Sequence, residues 1–127
     1  MKFLLDTHLL LQAALETLSV EAKSILVDES NTLYFSPASI WEVVIKKNHG
    51  RVDFDVDPGV LRRSLLDNQY HELPITSLHA LGVHELPKIH KDPFDRILLA
   101  QAIKEGITLL TSDQTLREYP APVVFVP

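Results

Sequence analysis

The sequence predicts an α/β domain in three layers, with a mostly parallel central sheet flanked by helices. Three observations predict it. Short apolar runs alternate with segments at helical spacing, the pattern that builds a parallel sheet covered on both faces. The stretch from Lys91 to Asp113, KDPFDRILLAQAIKEGITLLTSD, reads as a helix, a one-glycine turn and a buried strand, with a carboxylate at each end. A length of 127 residues, 46% hydrophobic and 23% charged, suits one compact domain over residues 1–127, with core enough to fold without staples.

Taken in order, Lys2 to Leu5 is a first strand that stops at Asp6. Thr7 to about Glu16 follows as a helix, with Leu9, Leu10, Ala13 and Ala14 in one apolar stripe. Ser19 caps a second helix, although Glu21 comes one position too early for a full capping box. Leu33 to Phe35 is the second strand, and Ser36-Pro37 opens a third helix that Gly50 ends. Arg51 to Asp57 reads as a loop or short extended piece. Pro58 starts a fourth helix to about Asn68. Tyr70 to Leu73 is a short strand closed by Pro74, and Thr76 or Ser77 caps a helix around Leu78 to Val83. After a loop from Leu86 to Lys91, Asp92 is the N-cap of the central helix, because Pro93 suits a first helical position. Gly106 ends that helix by accepting a left-handed conformation. Ile107 to Leu110 is a strand of the kind buried in parallel sheets, and Val123 to Val126 is the last strand.

Composition narrows the function classes. There is no cysteine, which excludes disulfides and thiolate metal sites and points to a reducing cytoplasm. The apolar N-terminal stretch is broken early by Asp6 and His8, so no signal peptide is expected, and no apolar run is long enough for a membrane span. A net charge of −5 counts against a simple nucleic-acid-binding module. It does not exclude an enzyme that meets phosphates through divalent cations, since the metals supply positive charge locally.

Four carboxylates carry the chemical argument. Asp6 follows the first strand, Glu42 lies early in the third helix, Asp95 lies in the first turn of the central helix, and Asp113 follows the strand after it. Right-handed crossovers place all four at the carboxyl edge of the sheet, where open α/β sheets bind ligands. Two carboxylates about 4 Å apart repel by roughly 4 kcal/mol at an effective dielectric of 20. Such a cluster therefore implies a positive partner, and Mg2+ or Mn2+ takes hard oxygen ligands of this kind. Each residue also has a structural reading. Asp6 or Thr7 can cap the first helix, Asp113 can cap the segment DQTLREY, Asp95 can meet the helix dipole, and Glu42 can pair with Lys46 one turn on. For Asp92 the capping role is preferred over metal binding.

Four segments in order, DTHLLL at 6–11, SIWEVVIKK at 39–47, HKDPFDRILLAQA at 90–102 and LLTSD at 109–113, resemble the PIN-domain family. The resemblance runs nearly end to end and is strongest toward the VapC-like ribonuclease toxins of type II toxin–antitoxin systems. It implies a three-layer PIN-like fold and a Mg2+- or Mn2+-dependent endoribonuclease whose acids fall on Asp6, Glu42, Asp95 and Asp113. It further implies Thr7, Thr111 and Ser112 as hydroxyl neighbours that orient ligands or waters, and Arg96 in support beside the site. A cognate antitoxin, an RNA substrate and a homodimer are the implied partners. One departure is Gln12, where related sequences often carry tryptophan.

Competing chemistries fit less well. His79, His84 and His90 are spaced by five and six, which misses the helical zinc pair, and His8 points away from Asp6 in a helix. No nucleophile elbow and no phosphate-binding glycine loop occur. A phosphorylated receiver needs paired acids after its first strand, and a phosphoaspartate hydrolase needs D-x-D there; Thr7 and His8 occupy those places. The serious rival is a PIN-like domain that binds RNA or a protein partner without cutting.

Overall fold

The computed structural model describes residues 1–127. Five strands, β1 (Lys2–Leu5), β2 (Thr32–Phe35), β3 (His71–Glu72), β4 (Thr108–Thr111) and β5 (Val123–Phe125), form one sheet in the order β3-β2-β1-β4-β5. Every pairing is parallel. Six helices cover it: α1 (Thr7–Ala14), α2 (Val20–Val27), α3 (Pro37–Asn48), α4 (Pro58–Asp67), α5 (Ser77–His84) and α6 (Pro93–Glu105). The longest helix has 13 residues, and none is long and apolar enough to cross a membrane.

The strands alternate between two cores, as a pleat of period two requires. Phe3, Leu5, Leu33, Phe35 and Leu110 face one core with Leu9, Leu10, Val43, Phe54, Leu61 and Leu65 from α1, α3, α4 and the turn before α4. Leu4 and Leu109 face the other, against Leu98, Leu99 and Ala102 of α6. On the first face, a cavity of about 680 Å³ with mostly apolar walls opens between α1, α2 and α4, and the four acids take no part in its walls.

The strand order fixes where a site can lie. From β1 the chain steps outward to β2 and β3, then crosses back to β4 on the other side of β1 and on to β5. The crevice between the carboxyl ends of β1 and β4 is therefore the switch point of the sheet. Leu5 is registered with Leu110, and the Asp6 amide donates to the Leu110 carbonyl at 3.1 Å, so Asp6 and Thr111 stand side by side at that edge.

Caps define most helix ends. Asp6, Ser19, Ser36, Asp57, Thr76 and Asp92 each accept from a backbone N–H of the helix they begin. Gly106 closes α6 at φ 67°, in the left-handed region that glycine enters without steric cost. Several boundaries differ from the sequence reading. α1 ends at Ala14 rather than Glu16, because Glu16 itself turns to φ 57°. Within the segment read as a loop or short extended piece, Val52–Phe54 form a 3-10 turn that buries Phe54. The third strand shrinks to His71–Glu72, since it pairs on one edge only. α5 carries a capping box that the sequence reading did not anticipate, with His79 Nδ1 accepting from the Thr76 N–H in place of the usual glutamate or glutamine.

Candidate active site

Asp6 is buried, 3% exposed, at the carboxyl end of β1. Its Oδ1 accepts from the Leu9 amide at 2.9 Å, and its Oδ2 accepts from the Thr111 hydroxyl. Thr111 Oγ1 in turn accepts from the Asp113 amide at 3.0 Å, so one threonine joins the acids that follow β1 and β4. Burial pushes the Asp6 carboxyl up, and the hydrogen bonds from Thr111 and Leu9 only partly counter it.

Asp95 enters from the first turn of α6. Burial pushes its carboxyl up to about 8, and the negative charges of Asp92, Asp6, Glu42 and Asp113 push in the same direction. That sensitivity places Asp95 electrostatically among the other acids. Asp113 is more open. Desolvation raises its carboxyl, but hydrogen bonds from Thr115 and the neighbouring His90 together outweigh it and hold the group below the usual range. Asp113 Oδ1 accepts from the Thr115 amide (2.9 Å) and hydroxyl (2.7 Å), while Oδ2 faces His90 Nε2 at 3.4 Å.

Glu42 sits on the inner face of α3 and is 2% exposed, not an outward-facing helix residue. Its Oε2 takes a hydrogen bond from Lys46, and its Oε1 is buried with no partner. A buried, unpartnered carboxylate oxygen is costly, and it marks a place where something positive fits.

The supporting residues divide by where their polar atoms go. Thr7 Oγ1 donates to Ser39 Oγ at 2.9 Å in the interior, pinning α1 to the turn of α3 that precedes Glu42. Thr111 bridges Asp6 and Asp113. Ser112 is half-buried at the end of β4. Asp92 Oδ1 accepts from the Phe94 and Asp95 amides and so caps α6, while its charge bears on Asp95. Arg96 turns away from the acids. Its guanidinium donates to the carbonyls of Pro87 (2.8 Å), Val83 (3.1 Å), His90 (3.3 Å) and Leu86 (3.5 Å) and to Tyr119 Oη (3.3 Å), so it fixes the loop entering α6. His8 is exposed and lies edge-on to Phe54.

The sequence reading weighed His90 only by its spacing from the other histidines, and the structure sets it beside two of the acids. Its amide donates to Tyr119 Oη at 2.6 Å and its carbonyl accepts from Arg96. Its Nε2 lies 3.7 Å from Asp95 Oδ2 and 3.4 Å from Asp113 Oδ2, and ligand atoms of the three residues fall within 4.8 Å of one another. Nδ1 accepts from the Asp92 amide at 3.2 Å, which leaves the proton of a neutral ring on Nε2. The nitrogen aimed at the acids is then a donor and not a lone pair for a metal. Its signal in the sequence was adjacency to Asp92, which histidine spacing alone does not weigh. The oxygens that could meet a hard cation such as Mg2+ or Mn2+ are those of Asp95 and Asp113, which belong to the close group, and the unpartnered Oε1 of Glu42; Asp6 lies outside that group and both of its oxygens already accept hydrogen bonds.

Strand order and side chains define a parallel α/β domain with an acidic cluster at its switch point. The chain belongs to the PIN domain family, whose model matches residues 3–122. Solved structures of similar fold include VapBC2 from Rickettsia felis bound to a DNA fragment from their promoter, at 15% identity and TM-score 0.76 with 98% of each chain covered. DNA-bound VapBC from Salmonella typhimurium matches at 13% identity and TM-score 0.70, also over 98% of each chain. A toxin–antitoxin complex from Klebsiella pneumoniae matches at 22% identity and TM-score 0.64, over 95% of this chain and 94% of that one. No curated protein matches the chain in sequence.

Two predictions follow from this geometry. Asp95 is protonated in both folded and unfolded chains below its ordinary 3.8, so it contributes nothing to pH dependence there. Between 3.8 and about 8 the unfolded chain binds fewer protons than the folded one, so stability falls as pH rises. Calorimetry of the metal-free protein should show the melting temperature dropping from pH 5 to pH 8, with Asp95→Asn flattening the drop and raising stability most at pH 8. Separately, Arg96→Ala leaves the carbonyls it ties together without their donor and should cost about 2–3 kcal/mol in urea unfolding. Arg96→Lys should recover little of that, because a single ammonium cannot span the same acceptors.

Proposed function

We propose that the chain is a metal-dependent endoribonuclease that cleaves RNA phosphodiester bonds, acting as the toxin component of a toxin–antitoxin pair. The observation that carries this reading is the acidic cluster itself: Asp95 raised to about 8 by burial, with the neighbouring acids pushing the same way, and Glu42 Oε1 buried without a partner, in a PIN domain. A bound Mg2+ or Mn2+ supplies the charge that neutralises the phosphodiester and lowers the pKa of a water nucleophile. Asp6, Asp95, Asp113 and Glu42 are the residues that hold it. Thr111 keeps the Asp6 and Asp113 carboxylates at a fixed separation through one hydroxyl. His90 presents Nε2–H to Asp113 Oδ2 and steadies that oxygen. Asp95, raised toward its neutral form by burial and its acidic neighbours, would hold a cation as the deprotonated carboxylate.

A cognate antitoxin is proposed as partner because the similar folds cited are found in VapBC and toxin–antitoxin assemblies. A homodimer is proposed on the exposed apolar residues Leu78 and Leu81 of α5, 66% and 65% exposed. The absence of cysteine supports a cytoplasmic setting.

A second reading has its own observation. Asp6 and Asp113 cap helices and Glu42 pairs with Lys46, so each has structural work without any ion. On that reading the domain binds RNA or a protein without cutting. Incubation with total cellular RNA, with and without EDTA, separates the two. Cleavage that EDTA stops and that Asp6→Asn or Asp95→Asn reduces at least a hundredfold supports the nuclease, and undiminished cleavage by either variant refutes the assignment. Millimolar Mn2+ should also raise the wild-type melting temperature, since it binds only the assembled site. An unchanged melting temperature favours the binding-only domain.

A further inference from the structure

The four acids are not electrostatically equivalent. Asp6, Asp95 and Asp113 are met by hydroxyls, amides and a histidine, but Glu42 alone is met by a full positive charge, the ammonium of Lys46 one helical turn along α3. That ammonium is not a loose surface group. The Lys46 side chain is 22% exposed, and its Nζ lies 4.8 Å from the Phe54 ring centroid and 5.9 Å from that of Phe94. Cations are attracted to aromatic faces at these distances. The ammonium is therefore held by residues from three segments: Glu42 of α3, Phe54 of the turn before α4 and Phe94 in the first turn of α6. Glu42 takes one of its three N–H donors, and no protein acceptor takes the other two.

We propose that Lys46 occupies the place of a second cation, so that the crevice holds a single divalent ion, met by Asp6, Asp95, Asp113 and the Oε1 of Glu42 that Lys46 leaves unpartnered. The inference rests on the nuclease reading and deepens it. Two-metal sites set ions about 3.5–4 Å apart to clamp both sides of a phosphodiester. Here one of the four negative charges is already matched from within the chain, and the pocket has less charge to offer a second ion. The unused donors of Lys46 are available to a non-bridging phosphate oxygen, the contact a second ion would otherwise make. Lys46 is thus more than the counterion of Glu42: it sets how many ions the site needs.

Titration of the purified protein with Mn2+, with free Mn2+ read by electron paramagnetic resonance, tests this without reference to activity. Wild type and Lys46→Arg should bind one ion per chain, and Lys46→Met should bind two. Lys46→Gln, which keeps a hydrogen-bond donor for Glu42, is the second variant should Lys46→Met fold poorly, and it too should bind two. In parallel, cleavage of total cellular RNA should change from first to second order in Mn2+ when Lys46 is replaced by Met or Gln. A counterion with a purely structural role would alter stability and leave both the stoichiometry and the order unchanged. Two ions in wild type, or one ion in wild type and in both neutral variants, overturns the proposal while the nuclease reading stands. No Mn2+ bound by wild type overturns both.

Discussion

The pairing of β1 with β4 is the constraint on which the pocket depends. Because Leu5 is registered with Leu110, Asp6 falls beside Thr111, and Asp113 follows two residues on. A slip of one residue would turn every side chain of β1 to the opposite face. Leu4 and Leu5 serve different cores, so a slip would exchange the contents of both at once. The hydrophobic packing of the sheet thus protects the placement of charged groups that make no contribution to that packing.

Gathering those charges is unfavourable, and the structure shows how it is tolerated. At about 4 Å two carboxylates repel by roughly 4 kcal/mol even at an effective dielectric of 20. Asp6 is offset by the Thr111 hydroxyl and a helix N-terminus, Asp113 by Thr115 and His90, and Glu42 by Lys46. Asp95 has none of these in full and is driven toward its neutral form. The second layer of support is mechanical. Arg96 and Tyr119 hold the loop that carries His90, and Thr7 with Ser39 ties α1 to α3. The residues around the crevice therefore either balance charge or hold the groups that do.

Much of this was legible in the chain. The alternation of strands and helices, the Asp92-Pro93 start and the Gly106 stop are local signals, and local physics decides them. The parallel sheet follows from the same alternation, since strands separated by helices have no short route to antiparallel pairing. What was not legible depended on distant partners. The direction of the Arg96 side chain is set by carbonyls between Val83 and His90, and nothing near Arg96 in sequence announces them. His79 serves α5 because its ring reaches Glu105 on α6 at 2.8 Å and its own cap residue at 3.0 Å, a pairing that histidine spacing does not reveal. The burial of Glu42 is tertiary as well, since the same i,i+4 pair with Lys46 occurs on countless exposed helices.

Structural and chemical roles for the acids need not compete, because a carboxylate has two oxygens. Asp6 gives Oδ1 to the Leu9 amide and turns Oδ2 to Thr111 at the crevice. Asp113 gives Oδ1 to Thr115 and turns Oδ2 to His90. Glu42 gives Oε2 to Lys46 and keeps Oε1 without a partner. In each case one oxygen anchors the side chain, removing rotamer freedom that a flexible ligand would lose on binding a cation. The other oxygen is held by Thr111 in Asp6, faces His90 in Asp113, and has no partner only in Glu42. A helix cap at the carboxyl end of a parallel strand is therefore a favourable place to station a ligand, since the hydrogen bond that begins the helix also aims the oxygen that faces the pocket.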